Sequence, residues 1–167
     1  MSENKKQNMH VVEDYSDIKF HHIFPLQLRF FDADQFGHIN NSIYFQYYDT
    51  AKMDYFEKLG VPFDSRHVTV TAHIDADFMQ QVYTSDTNIE VQSAVTHIGH
   101  KSFIFVQRLV DSVTGEIKCI GRSVIVSFDL EKNESVEMWP EWVEAIRKFE
   151  ANPVTIPWEQ VKKDLGL

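Results

Sequence analysis

The chain has 167 residues and a net charge of -9, with 25 acidic against 16 Lys and Arg side chains, so it lacks the basic excess that general affinity for nucleic-acid phosphates requires. Cys119 is the only cysteine, which excludes an intramolecular disulfide and a cysteine-based zinc cluster and points to a reducing, cytoplasmic setting. With 43% hydrophobic residues but no apolar run long enough to cross a bilayer, the composition is that of a folded globular protein, of a size that holds one core.

The opening residues, MSENKKQNMHVVEDYSD, lack the apolar stretch of a secretory signal and read as a flexible polar tail over 1–17. From His22 to Phe30 apolar residues alternate, with His22, Phe24, Leu26, Leu28 and Phe30 on one face, which predicts a strand; Pro25 places its early part at an edge or at the strand's start. After the turn-rich DADQFGHINN the period changes. Tyr44, Tyr48, Ala51, Tyr55 and Leu59 recur at helical spacing, with Asn40 or Asn41 placed to cap the start and Gly60 before Pro62 placed to end it. The remaining polar stripe, through Gln46, Asp49, Thr50, Asp54 and Glu57, is narrow, so the helix is expected to be largely enclosed.

Four strands follow, over Val68–Phe78, Thr87–His97, Ser102–Asp111 and Glu116–Asp129. The first carries Val68, Val70, Ala72, Ile74, Ala76 and Phe78 on one face. Turn-forming links at Tyr83–Asp86, Ile98–Lys101 and Ser112–Gly115 predict successive hairpins, a meander. Pro140 then opens a short amphipathic helix through Trp142, Ala145, Ile146 and Phe149, followed by a Pro-containing tail. A strand, a long helix and four antiparallel strands describe an α+β domain in which a curved sheet wraps one helix. Such a sheet leaves edges, so association of subunits is expected.

Reactive side chains concentrate in the strand-to-helix loop. Asp32, Asp34, His38, Asn40 and Asn41 fall within ten residues, just before a helix N-terminus. The free N–H groups and positive dipole end of such a terminus stabilise an oxyanion, and a carboxylate beside them suits acyl transfer or hydrolysis.

The segment Asp32-Ala33-Asp34-Gln35-Phe36-Gly37-His38-Ile39-Asn40-Asn41-Ser42-Ile43-Tyr44 resembles the signature Asp-x-Asp-x-x-Gly-His-x-Asn-Asn-x-x-Tyr of the hydroxybenzoyl-CoA thioesterase family of hotdog-fold enzymes. The similarity extends through the helix and its GVP exit to His97-Ile98-Gly99-His100-Lys101-Ser102-Phe103, covering about residues 20 to 130. It implies a hotdog fold, with a five-stranded antiparallel sheet around a long central helix and a short C-terminal helix added. The implied division is a tail at 1–17, a hotdog domain at 18–130, and a C-terminal helix and tail at 131–167. The implied activity is hydrolysis of an acyl-CoA thioester to free acid and CoA.

By the same resemblance Asp34 is the nucleophile or general base and the backbone N–H of Asn41 polarises the thioester carbonyl. His38 and Asn40 position substrate or water, and Lys101 with Ser102 meets the phosphates of CoA, often from a neighbouring subunit. The resemblance implies a homodimer, or a tetramer of paired dimers. It implies no metal and no cofactor, CoA being part of the substrate, and no nucleic-acid or membrane partner.

Each residue also has a plainer reading. Asp34 suits a turn or helix cap, Asp32 a loop-shaping hydrogen bond, His38 a packed imidazole, Asn41 an N-cap, and Arg108 and Arg122 solvated strand positions. Three alternatives to an acyl-CoA thioesterase share the fold: a thioesterase for acyl carrier protein, a hydratase or dehydratase acting on the acyl chain, and a non-catalytic acyl-CoA-binding protein.

Overall fold

The structure, a computed structural model, describes residues 12–155. Residues 1–11 of the expected N-terminal tail and 156–167 of the expected C-terminal tail lie outside the described residues. The strands are β1 (His22–Pro25), β2 (Val68–Phe78), β3 (Ile89–Ile98), β4 (Ser102–Asp111), β5 (Ile117–Asp129) and the short β6 (Glu134–Ser135); the helices are α1 (Asn41–Leu59) and α2 (Pro140–Phe149). All pairings are antiparallel, in the order β1-β3-β4-β5-β2, with β6 on β5.

Helix α1 forms where the aromatic spacing predicts it. Tyr44, Tyr47, Tyr48, Ala51, Tyr55 and Phe56 are buried, while Gln46, Asp49, Thr50 and Glu57 face outward with Met53, which is 43% exposed. The chain leaves the helix at Gly60, whose φ of 65° is left-handed and whose N–H donates to the Glu57 carbonyl at 3.1 Å. Pro140 occupies the first turn of α2, where its missing N–H costs nothing. Trp142, Val143 and Ile146 bury its inner face.

The structure corrects three expectations about the strands. The first strand ends at Pro25, with one more ladder bond from Leu26 N to the Ile89 carbonyl at 2.9 Å. Beyond it Asp32 closes a 3-10 turn over Phe30–Asp32. Its carboxylate accepts the Arg29 N–H at 3.1 Å and its own N–H donates to the Arg29 carbonyl at 3.0 Å, which turns Phe30 and Phe31 outward, 83% and 91% exposed.

Second, β2 does not form a hairpin with β3; it pairs with β5 at the far edge of the sheet. The stretch 79–88 is therefore a crossover. The Tyr83–Asp86 turn does form, with Asp86 N donating to the Tyr83 carbonyl at 3.0 Å. The hydrogen bonds that a hairpin would place in a ladder go to the loop before α1 instead: Ile39 N donates to the Val82 carbonyl at 2.9 Å and Thr84 N to the Gly37 carbonyl at 3.1 Å.

Third, the register between β2 and β5 shifts between Thr71 and His73, and the extra residue at this bulge swaps the strand's faces. Thr71, Ile74, Ala76 and Phe78 therefore share the helix side. Lys52 Nζ lies 3.5 Å from Thr71 Oγ1 and Phe78 packs on Tyr44, which agrees with this side. His73 and Asp75 share the other face, where Arg122 of β5 pairs with both Asp75 and Asp77.

On that outer face the segment before β1 lies across the sheet. Phe20, with Tyr15 and Ile18, packs on Ala94 and Val106. Arg108 lies 4.2 Å over the Phe20 ring and donates to the Asp14 carbonyl at 3.0 Å and to Gln92 Oε1 at 2.6 Å, so it is a strap anchor rather than a solvated strand arginine. Among the described residues no helix is long and apolar enough to cross a membrane.

Candidate active site

The loop between Ala33 and Ile39 is a tight reversal, bridged between those two residues. Asp34 N donates to the His38 carbonyl at 2.8 Å and Gly37 N to the Asp34 carbonyl at 3.0 Å. Gly37 has φ 81°, a left-handed value that a side chain would strain, which explains glycine at this point of the turn. Asp34 Oδ1 accepts the N–H groups of Phe36 at 2.8 Å and His38 at 3.1 Å. The turn-forming role is thus real, and it uses one oxygen. Oδ2 makes no hydrogen bond among the described residues.

Asp32 has the opposite environment. It is buried, and its carboxylate accepts the Tyr47 hydroxyl at 2.6 Å and the Arg29 guanidinium at 2.9 Å. Burial pushes its pKa up, but the hydrogen bonds from Tyr47 and Arg29 outweigh this and hold it below the usual carboxylate value. Tyr47 is driven up by burial and by donating to that carboxylate. The Asp32 carbonyl also accepts the N–H of Asn40 at 2.9 Å, so Asp32 ties the strand exit, the loop and the helix start together.

Asn40 is the N-cap of α1, yet its side chain makes no capping hydrogen bond. Its carbonyl accepts Ile43 N at 2.9 Å. Asn41 is the first helical residue; its amide, like that of Ser42, is among those with no acceptor inside a helix. Asp34, His38, Asn40, Asn41 and Ser42 line one cleft of about 680 Å³, closed on its other side by Tyr44, Phe78, Met79, Gln80 and Gln81. The His38 ring packs edge-on against Tyr83 at 4.8 Å and lies 6.4 Å from the Phe36 ring. The Tyr44 ring meets Phe78 at 5.1 Å, and burial pushes its hydroxyl up to about 12.

The four loop residues expected to act together thus share one cleft. Lys101 and Ser102 do not join them within one chain. Ser102 pairs with Val126, which pairs with Val70, whereas the cleft lies at the Phe78 end of β2. At about 3.3 Å per residue these ends are on the order of 25 Å apart. Lys101 Nζ donates to the Ser135 carbonyl at 3.2 Å and is exposed.

The residues that sequence reasoning missed are Ser42 and the wall formed by Phe78, Met79, Gln80 and Gln81. Their signal was present: two adjacent carboxamides in a link too long for a tight hairpin. Both Met79 N and Gln80 N donate to the Lys118 carbonyl, at 2.9 and 3.0 Å, which fixes this wall to β5. Among the described residues no three His, Cys, Asp or Glu side chains are grouped to hold a metal ion.

A carboxylate oxygen and helix-start amides facing one cleft are the parts needed to attack an activated carbonyl and to hold its oxyanion. Residues 28–146 match the model of the thioesterase-like superfamily. The chain belongs to that superfamily. Its fold is the hotdog fold: a thioesterase from Thermus thermophilus, complexed with coenzyme A and Zn, superposes with a TM-score of 0.71 at 24% identity, over 81% of this chain and 98% of that one. A DHNA-CoA thioesterase from Staphylococcus aureus gives 0.67 at 16% identity, over 87% and 94%. The uncharacterized protein YsmA of Bacillus subtilis (strain 168) is 26% identical over 122 residues, 72% of this chain and 82% of its own. The superfamily match covers the reactive loop, the helix and the whole sheet from β2 to β5.

Proposed function

We propose that this hotdog protein is an acyl-CoA thioesterase, with Asp34 as its catalytic carboxylate. The observation that carries the reading is Asp34, whose Oδ2 makes no hydrogen bond among the described residues, lining one cleft with the helix-start residues Asn41 and Ser42. A thioester bound there places its carbonyl oxygen toward the Asn41 amide, where the α1 dipole favours negative charge. Asp34 then takes a proton from a water that attacks the carbonyl carbon, or attacks that carbon itself to give an anhydride that water opens. In either route the C–S bond breaks, the sulfur leaves as the CoA thiolate and is protonated, and the acyl group leaves as the carboxylic acid. His38 and Asn40, whose side chains make no hydrogen bond among the described residues, orient the water and the thioester.

The reading includes a homodimer. The outer edge of β2 has no strand partner among the described residues, and Val70, Thr71, Ala72, His73 and Ile74 are exposed along it. Sheet edges of this kind pair. Two copies joined antiparallel along β2 bring the Val70 end of one beside the Phe78 end of the other. This carries Lys101 and Ser102 of the partner subunit toward the end of the sheet that holds the cleft, where a lysine suits the CoA phosphates.

The test is thiol release from a panel of acyl-CoAs by the purified chain, with its mass in solution measured by light scattering. The reading expects turnover, a dimer or a multiple of it, and a Lys101→Ala variant whose KM rises while kcat holds. A change in the acyl chain without thiol release would mark a hydratase, and binding without product a carrier. Release from acyl carrier protein alone would move the substrate class.

A further inference from the structure

The acyl group of a thioester held at Asp34 must leave the carbonyl in some direction, and the inward one runs between α1 and the sheet. We propose that Tyr48 blocks that direction, using Gly121 as its seat, and restricts the cleft to compact acyl groups. This rests on the thioesterase reading of the same cleft.

The Tyr44 and Phe78 rings, nearly perpendicular at 87°, form the cleft's inner wall. One helical turn further along α1 stands Tyr48, 1% exposed. A Cβ built on Gly121 would lie 2.6 Å from Tyr48 Cε2, 3.0 Å from Cδ2 and 3.2 Å from Cζ. No side chain fits there, so the ring rests directly on the β5 backbone and spans the whole gap between helix and sheet. Gly121 pairs with Ala76 of β2 on one side and Gln107 of β4 on the other. The block therefore stands on the β2 side of the sheet, two residues inward from Phe78 along the strand. Around the ring Leu109 and Cys119, in register with Phe78, and Ala51, three residues further along α1, are fully buried.

Small residues at Ala76 and Gly121 would floor a channel if a smaller residue stood at 48. With tyrosine there, the floor is covered. A chain longer than the cleft then meets a packed ring, and interiors at crystal-like density do not yield a methylene without cost.

The experiment compares kcat/KM for acetyl-, butyryl-, hexanoyl-, decanoyl- and palmitoyl-CoA, each below its micelle concentration. The native chain should prefer the short members and lose at least about tenfold by decanoyl-CoA, since each unaccommodated methylene is worth about that much. Tyr48→Leu and Tyr48→Ala should move the preference toward the longer members, while Tyr48→Phe, which keeps the ring, should retain the native profile. Folding of each variant is checked by its thermal melting. Palmitoyl-CoA turned over as fast as hexanoyl-CoA by the native chain would overturn the block while leaving the thioesterase reading in place, and needs no variant to fold. A folded Tyr48→Leu with the native profile would do the same. Absence of thiol release from every member would remove the thioesterase reading and the block with it.

Discussion

The two halves of α1 face the same sheet with different outcomes. Around the C-terminal half, Tyr55 and Phe56 pack with Phe103, Phe105 and Ile125, and α2 closes the layer with Trp142, Val143 and Ile146. The polar groups buried there find partners, Glu150 Oε2 excepted. The Tyr55 hydroxyl donates to Glu150 at 2.5 Å, Val95 N donates to the same carboxylate oxygen at 2.8 Å, and Trp142 Nε1 donates to the Pro62 carbonyl at 2.9 Å. Around the N-terminal half no second helix among the described residues covers the opening. A carboxylate oxygen, an N-cap carboxamide and the first helix amides are left facing a cleft.

The contrast makes substitutions at the closed end a matter of stability and those at the open end a matter of turnover. The largest stability effect is expected for Trp142→Ala, which removes a fully buried ring in contact with Phe56 at 5.1 Å and should cost about 3–5 kcal/mol. Urea unfolding reads this, and activity per folded molecule should hold. Glu150→Ala leaves the Tyr55 hydroxyl and Val95 N–H unsatisfied in the interior, at a cost of about 1–3 kcal/mol by the same assay.

Glu150 also gives the closed end a pH signature. Burial raises its pKa above 4.5, against hydrogen bonds from Tyr55 and Val95 that lower it, and its Oε2 is buried without a partner. The folded state therefore holds this proton more tightly than the unfolded one. Its contribution to stability is fully present below the unfolded value and is lost as pH rises through the folded one. Relative to Glu150→Gln, the native chain should lose stability as the pH is raised from about 4 to about 7, as read from urea midpoints. A flat difference would mean the carboxylate is not buried in solution.

Stability effects of similar or smaller size are expected at the open end. Gly121→Ala forces a methyl into the Tyr48 ring and should cost about 1–3 kcal/mol, because ring and backbone both resist displacement. Gly37→Ala meets only Thr84 Oγ1, at an ordinary contact distance of 3.8 Å, but a left-handed backbone, and should cost about 1 kcal/mol in melting experiments. Its larger consequence should be lost turnover, since the turn at Gly37 sets the position of Asp34.

The parts of this comparison that the sequence displayed are those in which neighbouring residues decide the structure. Strands β3 to β5 showed their alternation and turns, and α1 showed its aromatic spacing and its glycine exit. The short first strand was hidden because Phe30 continues the alternation, while the turn that breaks it is fixed by Asp32, whose buried carboxylate is also held by the Tyr47 hydroxyl from α1. The crossover after β2 was hidden because its turn residues are genuine and only the strand order makes it a crossing. The loop residues of the site were legible because one local motif holds them. Gln80 and Gln81, distant in sequence, and Tyr48, whose seat is a glycine on β5, depend on packing that no local pattern encodes.

We propose that the open end of α1 exists for chemistry at Asp34. The most direct test of this claim is kcat/KM for the best acyl-CoA substrate, native chain against Asp34→Asn, with the melting temperature of both. The amide keeps an acceptor for the Phe36 and His38 N–H groups but is no base or nucleophile. The account predicts a fall of at least about a hundredfold with little change in melting. Thiol release by Asp34→Asn at the native rate would contradict it.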